Sequence, residues 1–238
     1  MSTDQTTTMS TSLAIADAMA EVARTINAPR TVEEALSLVV DAARDTVPGI
    51  DHASVTVTVK GGYQTWAATG DLACRADDLQ YELDEGPCVD ALKAETFMQV
   101  DELPDDRRWP RYAPRAADLG IRSQLAFPLY TNTGPLGGLN LYATETEVLD
   151  ADTRHIAELF AAHAALALGK AREEQSLNTA LASRKTIGQA IGITQERFGI
   201  DEERAFQFLV RVSQTSNIKL REVAAELVHQ SNERCDNA

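Results

Sequence analysis

Ile156, Leu159, His163, Leu166, Lys170, Glu173, Leu177, Ala180, Arg184, Ile187 and Ile191 step along the chain by alternating threes and fours. From Asp152 to Phe198 this spacing predicts one long helix with a coiled-coil seam. Lys170 and Glu173 occupy core-like positions, which weakens the seam and can set its register, and Gly169 marks a place to bend. Such a helix predicts either a parallel or crossed homodimer or a single helix packed on its own domain. It also divides the chain, and we expect a tail over 1–11, a domain over 12–168, a connecting helix over 169–182 and a separate module over 183–238.

The module reads as three helices joined by two short turns, because helical apolar spacing is interrupted at Gly199 and again at Asn217. Ile187, Ile191 and Phe198 lie near one side of the first helix, and Ala190 and Gly192 keep the adjoining surface thin. Asp201 stands at an N-cap position before the stripe Ala205, Phe206, Leu209 and Val212. Leu220, Val223, Ala224 and Leu227 continue the rhythm. The order Arg184, Ile187, Gln189–Ala190, Gly192–Ile193, Glu196–Arg197, Gly199–Ile200, Ala205–Phe206, Leu209, Ser213, Asn217, Lys219–Leu220 and Val223–Ala224 resembles the ANTAR family of transcription antitermination regulators. The resemblance implies a dimerising three-helix bundle that grips paired small hairpin loops in nascent mRNA and so disfavours a terminator. Two departures stand out: Ile191 takes the place of a usual Lys between Ala190 and Gly192, and Thr194–Gln195 replaces a usual Leu-Met.

The net charge of −14 runs contrary to nucleic-acid binding, but its distribution is uneven. Ser183–Ala238 holds 8 Lys+Arg and 8 Asp+Glu, which leaves 14 against 28 in the first 182 residues. RNA phosphates are therefore expected to meet the neutral module and not the acidic body, with binding resting on shape and loop bases more than on phosphate neutralisation. Arg184, Lys185, Gln189, Gln195, Arg197, Arg211, Ser213, Asn217, Lys219 and Arg221 lie between the apolar stripes and are the expected RNA contacts. Arginine suits bidentate phosphate contacts and base stacking. A DNA-binding factor is a rival reading, although no helix concentrates basic residues for a major groove.

Upstream, residues 1–11 are Ser/Thr-rich and read as a disordered tail. A helix from Ser12 to Pro29 is followed by a second, opened by Thr31 and Glu34 in a capping-box pattern and closed by Pro48–Gly49. From His52 the period changes to two. Ala53, Val55, Val57 and Val59 alternate with Ser54, Thr56, Thr58 and Lys60, as in a half-buried strand, and Gly61–Gly62 turns into a partner at Gln64–Thr69. Gly70–Glu85 is acidic with a weak pattern, and Pro87 can start a short helix carrying Cys88, Ala91 and Leu92. A strand at Phe97–Val100, a helix around Tyr112–Leu119, and strands at Ser123–Tyr130 and Leu136–Ala143 around a turn at Thr131–Gly134 complete an α+β domain, an antiparallel sheet with helices on one side.

With YELDEGPCVDAL at Tyr81–Leu92 and RSQLAFPLYTNTGPLGGLNLYA at Arg122–Ala143, this order resembles a GAF domain over roughly residues 13–168. The resemblance implies a sensor whose sheet and covering loops form a pocket for an unknown small-molecule or protein signal. The cofactor, if any, is unknown. Trp66, Tyr81, Cys88, Trp109 and Phe127 are the expected pocket residues. Cys88 at a helix start invites a second rival, a GAF-type redox enzyme, because backbone amides there can lower a thiol pKa, and Cys74 is near in sequence. Against it stands the reading of Cys88 as a small buried core residue. Cys74, Cys88 and Cys235 have no metal spacing, and the four histidines do not cluster. With a polar N-terminus and no apolar run long enough to span a bilayer, the expectation is a cytoplasmic regulator with no membrane contact and no catalytic residue.

Overall fold

In a computed structural model of the chain, residues 20, 31–131, 134–145 and 149–236 are described. The expected tail and, Ala20 apart, the expected first helix lie outside them, as do the tip of the Thr131–Gly134 turn and the side chain of Cys235. The chain divides into two units, Met1–Ala171 and Arg172–Ala238.

The first described helix, α1, runs Val32–Thr46, and Thr31 accepts the Glu34 amide at 3.2 Å as its cap. Strands β1 (His52–Val59) and β2 (Gly62–Ala68) precede two helices, α2 (Asp71–Leu83) and α3 (Pro87–Ala94). Next come β3 (Met98–Val100), α4 (Tyr112–Asp118), β4 (Ser123–Thr131) and β5 (Gly134–Ala143). All strands pair antiparallel in the order β2-β1-β5-β4-β3.

Helices cover both faces of this sheet, which corrects the expectation of a single covered side. On one face Val55, Leu125, Phe127, Leu139 and Leu141 pack with Leu36, Val39, Val40 and Ala43 of α1 and with Ala157, Phe160, Ala161 and Ala164 of the helix that follows β5. On the other, Ala73 and Ala76 of α2 join Tyr112, Ala113 and Ala116 of α4 and Tyr142, while Cys88, Ala91 and Leu92 of α3 meet Ala126. The weakly patterned acidic segment is therefore helix α2, whose inward positions are Ala73, Ala76, Asp77 and Gln80. Nor is β1 half-buried: Ser54 and Thr56 are buried on the α2 face. Their polarity reflects a polar interior layer and not contact with water.

Helix α5, Ala151–Phe198, starts in the first unit, where it contributes to the first core, and ends in the second. Residues 172–182 are exposed throughout. In the second unit α5 ends at Gly199, whose φ of +63° suits glycine. Helix α6 (Glu202–Ser216) is capped by the Asp201 carboxylate, which accepts the Arg204 amide at 2.8 Å. Asn217 in the left-handed region, φ +54°, turns the chain into α7 (Leu220–Asp236). Ala190, Leu209 and Ala224 are the fully buried centre, ringed by Ile187, Ile191, Leu220, Val223, Leu227 and Val228. Two alanines at the contact let the helices approach closely but leave little volume. Phe198 and Val212, expected on the inner face, are accordingly 54% and 37% exposed.

Candidate functional site

Between the sheet and α2 and α3 lies a buried polar network organised by Asp77. Asn140 Nδ2 donates to Asp77 Oδ1 at 2.9 Å and to Thr56 Oγ1 at 3.0 Å, and Thr65 Oγ1 donates to Asp77 Oδ2 at 2.7 Å. The Tyr142 hydroxyl donates to Asp77 Oδ1 and accepts from Gln80 Nε2 at 3.1 Å. Tyr81 OH meets Thr56 Oγ1 at 2.6 Å and Thr65 Oγ1 at 3.2 Å. Gln80 Oε1 accepts the backbone amide of Cys88 at 2.8 Å, so α2 caps the first turn of α3. Among the described residues Asn140 Oδ1 is the buried side-chain atom without a hydrogen-bond partner. Because Nδ2 is committed to Asp77 and Thr56, that acceptor is oriented away from both.

Burial drives the electrostatics here. It pushes the Asp77 carboxyl up to about 6 against the pull of its hydroxyl and amide donors. The Cys88 thiol, only 1% exposed and donating to Thr56 Oγ1 at 3.6 Å, is pushed up to about 12 by burial and then by the Asp77 charge. This corrects the idea of a lowered thiol pKa. The amide that a thiolate would use is taken by Gln80, and the nearest charge is negative. Cys74, on α2, is likewise raised, first by burial and then by Asp77. The cluster can hold a hydrogen-bonding group, but it does not activate a nucleophile. We expect Cys88 to resist a thiol reagent at pH 8 in the folded protein while half-buried Cys74 reacts sooner, with peptide mass spectrometry of the labelled chain as the measurement. Equal labelling of the two would contradict this burial.

Of the expected pocket residues, Tyr81 and Cys88 meet at Thr56. Trp109 is buried on the same face of the sheet, donating Nε1–H to Asp90 Oδ2 at 2.7 Å. Trp66 and Phe127 belong to the opposite, apolar face, Phe127 stacked on Phe97 at 4.6 Å, and do not reach the network. Sequence reasoning missed Thr56, Thr65, Asp77, Gln80, Asn140 and Tyr142. Thr56 reads as the polar side of a half-buried strand, and Asp77 and Gln80 lie in an acidic stretch where they interrupt the apolar positions of the helix. A separate open groove of about 320 Å³ between α2 and α4 is lined by Arg75, Asp78, Leu79, Glu82, Arg115 and Leu119, none of them in the network.

In the second unit Arg184, Lys185, Gln189, Arg197, Arg211, Lys219 and Arg221 are exposed, and Gln195 is half-buried. Lys185 and Gln189 stand one turn apart on α5. Ser213 and Asn217 have structural work: Ser213 Oγ donates to the Ile218 carbonyl at 2.5 Å, and Asn217 caps α6. Thr194 is buried and satisfies its hydroxyl on the Ala190 carbonyl at 2.7 Å. Among the described residues no group of His, Cys, Asp and Glu could hold a metal ion, and no helix is long and apolar enough to cross a membrane.

Comparison with known proteins agrees with both units. The GAF domain profile matches residues 29–169 and the ANTAR domain profile residues 175–228. No curated protein matches the chain. Among solved structures, the GAF domain of a phosphoenolpyruvate-protein phosphotransferase from Coxiella burnetii is 19% identical, covering 69% of this chain and 98% of its own, with a TM-score of 0.56. The corresponding domain from Acinetobacter is 14% identical, covering 68% and 97%, with a TM-score of 0.55. Free methionine-R-sulfoxide reductase from Neisseria meningitidis, solved with its substrate, is 12% identical, covering 67% and 91%, with a TM-score of 0.55. At these identities the likeness is one of fold.

Proposed function

Because the chain belongs to the GAF domain family and ends in an ANTAR domain, we propose that it is a signal-responsive antitermination regulator whose GAF domain controls the grip of its C-terminal helices on hairpin loops in nascent mRNA. The observation that carries this reading is the presence of both domains in one chain, with a set of exposed Arg, Lys and Gln side chains on the module that is free of the acidic excess. The buried network around Asp77 is the proposed sensor site. A ligand bringing an N–H or O–H donor satisfies Asn140 Oδ1, and a ligand that inserts there separates α2 and α3 from the sheet. Only a ligand that binds two arrangements of the protein unequally can switch it.

The module works as a pair. Leu166 in the first unit and Leu177 in the second, both on the expected seam of α5, are 63% and 59% exposed, as positions awaiting a second copy would be. Two linked loops bound by a dimer gain through effective concentration, which offsets the weak net charge. The test is cross-linking of RNA to the full chain in cells, followed by a search of the captured RNA for tandem hairpins. Against the best captured RNA, Arg197→Ala and Lys219→Ala are each expected to weaken binding about tenfold, near the lower end for a lost charged hydrogen bond. Unchanged affinity in both variants would reject these contacts.

A further inference from the structure

Phe198 at the end of α5 and Phe208 on α6 are exposed by 54% and 43%, yet their rings meet at 5.3 Å between centroids, tilted by 45°. The two rings cover each other in part and lie outside the buried centre of the module, leaving an apolar surface open to solvent. Arginines flank the pair, although Glu196, Asp201, Glu202 and Glu203 are exposed nearby in sequence. Arg204 and Arg211 lie one turn before and one turn after Phe208 on the same helix. Arg204 leans on Asp201 through Nε at 3.5 Å and remains exposed, and among the described residues Arg211 makes no ion pair. Arg197 precedes Phe198 and is exposed as well. No carboxylate lies three or four positions from either ring along its helix.

We propose that the Phe198–Phe208 pair is a stacking platform for an unpaired base of an RNA loop, with Arg204 and Arg211 placed to meet the flanking phosphates. The inference rests on the RNA-binding reading above and adds to it two residues that a search for polar contacts passes over. An aromatic ring accepts the face of any base, and guanidinium groups beside it add stacking and phosphate contact, so apolar rings edged by arginine match a single-stranded loop.

The experiment uses the full-length protein and a library of RNAs with two linked stem-loops and randomised loops. The tightest binder is then labelled with 2-aminopurine at each loop purine in turn. Phe198→Ala and Phe208→Ala are expected to weaken binding about tenfold or more. One loop position should lose fluorescence on binding wild-type protein and keep it with either variant. Phe208→Trp should retain both affinity and quenching, which separates loss of the ring from loss of the fold. If wild-type protein binds and the alanine variants bind equally well, the platform is wrong while the RNA reading stands. Should the variants lower the mass of the assembly by light scattering and lose RNA only as it dissociates, the patch is a contact between copies and the platform is overturned. If no library RNA binds wild-type protein, the RNA reading fails and the platform with it.

Discussion

Asp77→Ala is expected to destabilise the first unit by about 3 kcal/mol at pH 7, while Asp77→Asn leaves it near wild-type stability and removes most of its pH dependence between about pH 4 and 6. Alanine leaves the Tyr142 hydroxyl, Asn140 Nδ2 and the Thr65 hydroxyl without their acceptor, and each buried orphan costs roughly 1–3 kcal/mol before relaxation or entry of water. Asparagine keeps a carbonyl acceptor for Tyr142 and Asn140, and the Thr65 hydroxyl can rotate to accept instead of donate. The sign of the pH effect follows from burial. The folded-state carboxyl is raised from 3.8 to about 6, so the folded protein binds this proton more tightly than the unfolded chain. Its contribution is complete below about pH 4 and is lost as pH rises through about 6, a change of roughly 3 kcal/mol at about 1.4 kcal/mol per pH unit. Asp51, Glu85 and Asp106 are lowered by their own partners and act in the opposite sense, in a more acidic window. Subtracting the Asp77→Asn curve from that of the wild type isolates the contribution of the Asp77 carboxyl. Urea unfolding followed by tryptophan fluorescence is the measurement, because Trp66 and Trp109 both lie in the first unit. A difference curve flat from pH 4 to 7, or an alanine variant as stable as wild type, would refute the buried-carboxylate account.

The same network explains what the sequence could and could not disclose. Strand alternation marks β1, the turn signal at Thr131–Gly134 sets off β4 and β5, and the caps at Thr31 and Asp201 and the breaks at Gly199 and Asn217 mark helix ends, since each depends on a local rule. Alternation says only that the two faces of a strand differ. It does not say that the polar face is wet, and here Ser54, Thr56, Gln124 and Asn140 are buried because α2 and α3 supply Asp77, Gln80 and the Cys88 thiol from residues distant in sequence. Helix α2 is hard to read for a related reason: its apolar positions Leu72, Ala73, Ala76, Leu79 and Leu83 share the inward side with Asp77 and Gln80 in an acidic stretch, and Gly70 gives it no side-chain cap. In the second unit the periodicity locates the helices but not how close they come. The alanines at their contact, not the spacing of the apolar residues, decide that Phe198 and Val212 stay outside.

Close approach of another kind makes two neighbouring glycines of β5 unequal. Gly137 lies opposite Val57 of β1 and Leu129 of β4, and a Cβ built on it would collide with the Thr56 carbonyl oxygen, with Val57 Cα only 2.9 Å away. Backbone cannot swing aside as a side chain can. Gly137→Ala must therefore push β1 and β5 apart beside Thr56, the residue that Tyr81, Asn140 and Cys88 all use. The expected cost is roughly 3 kcal/mol or more, at the upper end for an added methyl group, because strand pairing and the network are strained together. Gly138 differs by one position and faces α3. A Cβ there meets Cys88 Sγ and the Phe127 carbonyl oxygen at 3.5 Å, ordinary contact. Gly138→Ala also relieves the entropy cost of glycine in a strand, about 0.5–1 kcal/mol, so it should be neutral or slightly stabilising. Unfolding both variants in urea with tryptophan detection compares them directly. Equal stability of the two would mean that β1 and β5 can separate at Gly137 without cost, and the polar layer would then be too loosely held to organise a sensor site.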